Sequence, residues 1–175
     1  MEEFTLKSFH ESMTEYRKQL RKGDIQGAYT GLMEYIMGLR TYFKNTYPDY
    51  FVSGSIYQGY MDMTYFSFIP QSLKSKKLRI AIVFCYNTFR FEVWLAGYNK
   101  QIQTKYWKLF KESNWKKYHI PSAIKGVDSI LESILVDDPD FGNLDALTKQ
   151  IENGTLTFIQ DVENFLSNHS EKPCF

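Results

Sequence analysis

LRIAIVFCYNTFRFEVWLAG, residues 78–97, changes pattern once, at Asn87-Thr88. Before that point the chain is an almost unbroken apolar run, as in a strand covered on both faces; after it, large apolar residues alternate with others, as in a strand covered on one. The connection is far too short for a crossover, so the two segments are predicted to pair as an antiparallel hairpin. In the second strand Phe89, Phe91, Val93 and Leu95 share one face, predicted to be core, and Arg90, Glu92 and Trp94 share the other.

Upstream, SIYQGYMDMTYFSFI (residues 55–69) is aromatic and β-prone, and PQSLKSKK joins it to the hairpin through a loop or one helical turn. The three strands form a meander. Before them, Leu6, Phe9, Met13, Tyr16 and Leu20 predict an amphipathic helix over residues 4–22, stopped by Gly23. Asp24 would cap a second, more apolar helix carrying Ile25, Leu32, Ile36, Leu39 and Phe43 and ending before Pro48.

Downstream of Gly97 a helix has Ile102, Tyr106, Leu109 and Phe110 inside and Lys100, Thr104, Lys108 and Lys111 outside. KYHIP, residues 117–121, reads as a possible fourth strand. Ile124, Val127, Ile130, Leu131 and Leu135 predict a helix over 122–136, and Leu144 to Phe165 stay in phase across Gly154 as one long helix with a weak point there. The expected fold is α+β: a small, mainly antiparallel three- or four-stranded sheet with about five helices, in the order α-α-β-β-β-α-(β)-α-α. We expect one domain over 1–175, frayed from 166 onward.

Residues 1–118 hold 18 Lys and Arg against 10 Asp and Glu, and residues 119–175 hold 3 against 10. That asymmetry is read as two halves that trade charges at their contacts. Cys85 and Cys174 are far apart with no CxxC spacing, which excludes a disulfide framework or zinc knuckle and suits a reducing, cytoplasmic setting. The acidic start MEEFTLKSFHES is not a leader, and no window approaches the roughly 18 apolar residues of a membrane span. No cofactor and no metal site are expected.

The face of Arg90, Glu92 and Trp94 is either a half-exposed surface with a cross-strand ion pair or the floor of a cleft. Asp62 belongs to the adjoining strand, but register is not set by the sequence. The succession helix, meander, helix, possible strand is similar to the restriction-endonuclease-like nuclease core. That resemblance implies Mg²⁺ held by Asp62 and Glu92, with Glu34 as a third ligand and Gln101, Gln103 and Tyr106 nearby. It fails where the motif requires Lys two residues after the Glu, because Trp94 stands there. A second constellation, Lys100, Lys108, Lys111, Lys116 and Lys117 among Trp107, Trp115 and Tyr118, has the composition of a polyanion surface. DDPDFGNLD lacks the spacing of a calcium loop, and His119 has no nucleophile motif beside it.

GDIQGAYTGLMEYIMGLRTYF, FVSGSIYQGYMDMTYFSF, LRIAIVFCYNTFRFEVWLAGYNKQIQTKYW and KGVDSILESILVDDPDF together resemble an uncharacterised family of bacterial proteins, over about residues 8–166. The resemblance implies a single domain and carries no activity or site residue. We therefore read the chain as a non-catalytic cytosolic binding domain. Arg90, Glu92, Trp94, Asp62, Tyr57, Tyr60 and Tyr65 would offer a surface to a small molecule or protein. The alternative is a degenerate nuclease or nucleic-acid-binding domain using Asp62, Glu92 and the lysines.

Overall fold

The computed structural model describes residues 7–169. The predicted helix start at residues 4–6, the end of the tail and Cys174 lie outside them. Two compact units divide at Gly38 and Leu39, inside the second helix. In the first unit, α1 (Phe9–Lys22) opens on a capping box in which the Ser8 hydroxyl accepts from Glu11 N–H and the Glu11 carboxylate accepts from Ser8 N–H at 2.7 Å. No residue of α1 is buried. The α2 helix (Asp24–Thr46) starts one residue earlier than the predicted cap requires, because Gly23 C=O already accepts from Gly27 N–H at 3.1 Å. Asp24 is therefore its first helical residue.

The second unit contains the end of α2 and one antiparallel sheet. Its strands are β1 (Phe51–Val52), β2 (Tyr57–Gln58), β3 (Met63–Ile69), β4 (Leu78–Cys85), β5 (Arg90–Gly97) and β6 (Leu131–Val136). The order is β1-β3-β4-β5-β6, and β2 also pairs with β3. The predicted meander is present as β3-β4-β5, but the sheet is larger at both edges. Residues 55–69 form two strands instead of one, since the chain turns through Gly59 and Met61, where φ is +61°, and β2 folds back on β3.

The β4 strand is central and buried along most of its length, as its apolar run predicts. Cys85 pairs with Arg90, so the hairpin turn is residues 86–89. Phe89 thus corrects the expected core set. It closes the turn at φ +52° and is 58% exposed, while Phe91, Val93 and Leu95 are buried as predicted. A turn of this length needs one left-handed residue to re-enter the strand, and Phe89 takes that position.

Phe66, Phe68, Ile82 and Val93 face the core. The α2 end supplies Phe43, whose ring lies 4.7 Å from that of Phe68 and 5.9 Å from that of Phe66. The short α3 (Gln71–Lys74) is the helical turn between β3 and β4. The α4 helix (Lys100–Glu112) is capped by Asn99, whose side-chain oxygen accepts from Ile102 N–H at 2.9 Å. Gln103, not one of the expected apolar residues, is buried with Phe110 on its inner side.

The expected helix over 122–136 is absent. Residues 131–136 instead form β6, pairing Leu131 with Leu95 and Ser133 with Val93. The apolar positions fit a helical period, but Gly126 at φ +77° interrupts it, and the open edge of β5 rewards an extended Leu-Glu-Ser-Ile-Leu-Val segment with a hydrogen-bond ladder. KYHIP is no strand; His119 alone bridges to Glu132.

The α5 helix (Leu144–Asn168) runs unbroken through Gly154. Gly154 is a close-approach point: a Cβ there would lie 2.7 Å from Leu135 Cδ2 of β6. Two polar clusters, one on the buried Glu152 and one on the half-buried Asp161, tie α5 down. Glu152 accepts from Tyr47 at 2.6 Å, Tyr42 at 3.0 Å and Lys149 at 2.9 Å, and Asp161 accepts from Lys117 at 2.8 Å and from Tyr118. The pairs Lys117–Asp161 and Arg90–Asp137 join the basic and acidic halves of the sequence.

Burial opposes the charge of Glu152 and of Asp161, but the hydrogen bonds from these tyrosines and lysines outweigh it, and both carboxyls sit below their ordinary values. A depressed folded-state value stabilises the fold above the unfolded value and ceases to do so as pH falls through the folded one. Thermal stability should therefore hold above about pH 5.5 and fall below about pH 4.5. Melting curves followed by circular dichroism check this. The decline should be smaller in Glu152→Gln, and an identical decline in that variant would remove Glu152 as a cause.

Candidate functional site

The face of the sheet opposite the core is built from three cross-strand rows. Tyr65, Val83 and Glu92 align across β3, β4 and β5; Ser67, Ala81 and Trp94 form the next row; Arg79 and Ala96 form the third. Bulky residues fill the first row, whereas the second holds Ser67 and Ala81 beside Trp94 and the third sets Ala96 beside Arg79. Ser67, Ala81 and Ala96 thus leave a hollow of about 390 Å³, walled by Tyr65 and Tyr57 on one side and Trp94 on the other. Tyr57 and Tyr65 stack at 4.9 Å between ring centroids. Arg79 and, from the start of α4, Tyr98, Asn99 and Lys100 complete the lining, with the exposed Asp62 and Asp128.

Gly97 brings α4 against this end of the sheet. A Cβ on Gly97 would meet Gln103 N at 2.5 Å, so no other residue allows the strand and helix to approach so closely. Gln103 in turn donates to the carbonyls of Val127 at 2.7 Å and Ser129 at 3.4 Å, holding the loop before β6 beside the hollow.

Arg90 and Glu92 are brought together, but outside the hollow. Glu92 is 6% exposed; its Oε1 accepts from Arg90 Nε at 2.7 Å and its Oε2 from Trp94 Nε1 at 2.6 Å. Arg90 also reaches Asp137 at 3.4 Å. The carboxylate therefore orients the indole, and only the indole lines the hollow. Burial and, after it, the Glu92 charge push the thiol of neighbouring Cys85 up to about 12, which disfavours its thiolate.

Asp62 lines the hollow, with one oxygen accepting from Met63 N–H at 2.8 Å, and Glu92 does not line it. The structure does not unite these two carboxylates. Among the described residues no three His, Cys, Asp or Glu side chains gather as a metal site. Tyr60 is 98% exposed and stands apart from Tyr57 and Tyr65.

The lysines do not converge either. Lys100 lines the hollow and donates to Val127 C=O at 3.1 Å; Lys111 lies over the Trp107 ring at 4.3 Å; Lys117 is paired with Asp161; Lys108 and Lys116 border other concavities. Trp115 stacks on Phe165 and Tyr118 packs on Phe158, both at 4.7 Å, so rings counted toward a base-stacking surface are engaged in packing.

The family comparison adds a boundary to this geometry, since one family model matches residues 9–166, from the first residue of α1 to near the end of α5. The chain belongs to the family described as Domain of unknown function (DUF7000). No curated protein and no solved structure matches it.

The hollow and all of its walls lie within the matched residues. Sequence reading did not single out Arg79 or the small floor residues. The signal for Arg79 was present: it is the one charged residue in LRIAIVFC, in phase with Ala81. Ser67, Ala81 and Ala96 carry no such signal, because small residues form a hollow only where three strands bring them together.

Proposed function

We propose that this chain is a non-catalytic, single-domain cytoplasmic binding module that receives a small molecule in the hollow on the outer face of its sheet. The observation that carries the reading is the contrast between a small-residue floor and aromatic walls on adjacent strands, with Trp94 held in place by Glu92. Ligand sites are concave, aromatic-lined and furnished with a few polar groups, and this hollow has the size and mixture required. Both Glu92 oxygens are engaged by protein donors, which favours a binding role over metal-dependent hydrolysis. Among the described residues no helix is long and apolar enough to cross a membrane. Cytoplasmic placement rests on the free, half-buried thiol of Cys85.

The test is a fragment screen by ¹H–¹⁵N NMR. Flat fragments should shift the Trp94 indole and the amides of Ala96 and Gly97 first, and Trp94→Ala should weaken their binding about tenfold. Hits that leave these signals unmoved and cluster elsewhere on the sheet would remove the reading.

A further inference from the structure

Arg79 is a half-buried cation with little to do for the fold. It stands on the outer face of β4 beside Ala81, and its guanidinium makes one long hydrogen bond, from Nη2 to Gly97 C=O at 3.4 Å. Among the described residues no carboxylate lies within ion-pair distance of it, whereas Arg90 on the same face has Glu92 and Asp137. An Arg carries five N–H donors in a fixed plane, so most donors of Arg79, which lines the hollow, stay open to a ligand.

We propose that the hollow takes a planar aromatic ring bearing an anionic group, a carboxylate or a phosphate, with Arg79 as the anion's partner. This rests on the reading of the hollow as the binding site. The ring lies over Ala81 and Ala96, between Tyr65 and Trp94, which stand two strands or about 10 Å apart. Its anion meets the Arg79 fork in the paired geometry that carboxylate and phosphate share. Lys100 adds a second positive charge, and its ammonium donates to the Val127 carbonyl alone among the described residues. The opening turn of α4 presents the positive end of the helix dipole to the same space. Asp62 and Asp128 also line the hollow, but both are exposed and neither pairs with Arg79 or Lys100. They repel an anion that approaches from their side and so help to fix its orientation toward Arg79.

The experiment is an NMR titration of the full chain with benzoate, phenyl phosphate, benzamide, benzamidinium and inorganic phosphate. Benzoate and phenyl phosphate should both shift the Trp94 indole and bind about tenfold more tightly than benzamide, with benzamidinium weaker still. A preference between the two anions identifies the source of the charge. Arg79→Gln should bring benzoate down to the affinity of benzamide while leaving benzamide unchanged. Arg79→Lys, which keeps the charge and loses the fork, should fall between them. Lys100→Ala, at an exposed position, should cost about threefold and guards against a folding defect in the Arg79 variants.

Equal binding of benzoate and benzamide, or a charge preference that survives Arg79→Gln, overturns the anion assignment and leaves the hollow as a site for neutral rings. Inorganic phosphate binding as tightly as phenyl phosphate overturns the ring. Failure of every aromatic probe to move Trp94 removes the binding site and this inference with it.

Discussion

Glu92→Ala is expected to destabilise the fold by about 3 kcal/mol. The side chain of Glu92 is 7% exposed and that of Arg90 is 27% exposed, so removing the carboxylate leaves a partly buried cation with only its longer 3.4 Å contact to the exposed Asp137 among the described residues. It also strands the indole N–H of Trp94, which donates to Glu92 at 2.6 Å. Breaking a buried pair from one side costs more than the pair contributes, because the partner's desolvation is no longer offset. Urea unfolding monitored by circular dichroism measures the loss. Glu92→Gln, which retains one acceptor oxygen, should lose less. A cost under about 1 kcal/mol for the alanine variant would mean that Arg90 and Trp94 find new partners readily. The same variant should weaken any ligand that leans on the indole, since the ring then turns freely.

Gly97→Ala is the second large effect, about 3 kcal/mol. The new methyl would sit 2.5 Å from Gln103 N and 2.8 Å from Gln103 Cα. Those are backbone atoms of a capped helix, so no side-chain rotation relieves the clash and α4 must shift along its start. That shift would pull Gln103 from the Val127 carbonyl and deform the wall formed by Tyr98, Asn99 and Lys100. The measurement is a paired one: melting temperature, and the amide shifts of residues 98–103 against those of β3. A variant as stable as the parent, with unmoved α4 signals, would contradict the close approach of strand and helix.

The two variants also show which parts of the chain were legible as sequence. The alternation FRFEVWLAG placed Phe91, Val93 and Leu95 in the core and Arg90, Glu92 and Trp94 on the opposite face, because side-chain period along a strand is a local property. Local too were the near-continuous run of β4 and the unbroken phase of α5. The segment 122–136 was misread because five apolar residues satisfied a helical period, while the unpaired edge of β5, which recruits it as β6, lies some forty residues upstream. Phe89 was misread by one position, the distance between the last residue of a turn and the first of a strand.

By itself, then, the sequence determined an α+β chain with an antiparallel meander at its centre, and it named the face on which polar and aromatic side chains gather. Only the tertiary structure decided how that face divides. Register across β3, β4 and β5 sets Ser67, Ala81 and Ala96 into a hollow, leaves Arg79 without a carboxylate partner among the described residues, and spends Glu92 on Arg90 and Trp94. The physical reason is that partnership between charges and the depth of a depression are pairwise, long-range quantities. Residues dozens of positions apart acquire them only when the hydrogen-bond ladder has fixed which side chains stand opposite one another.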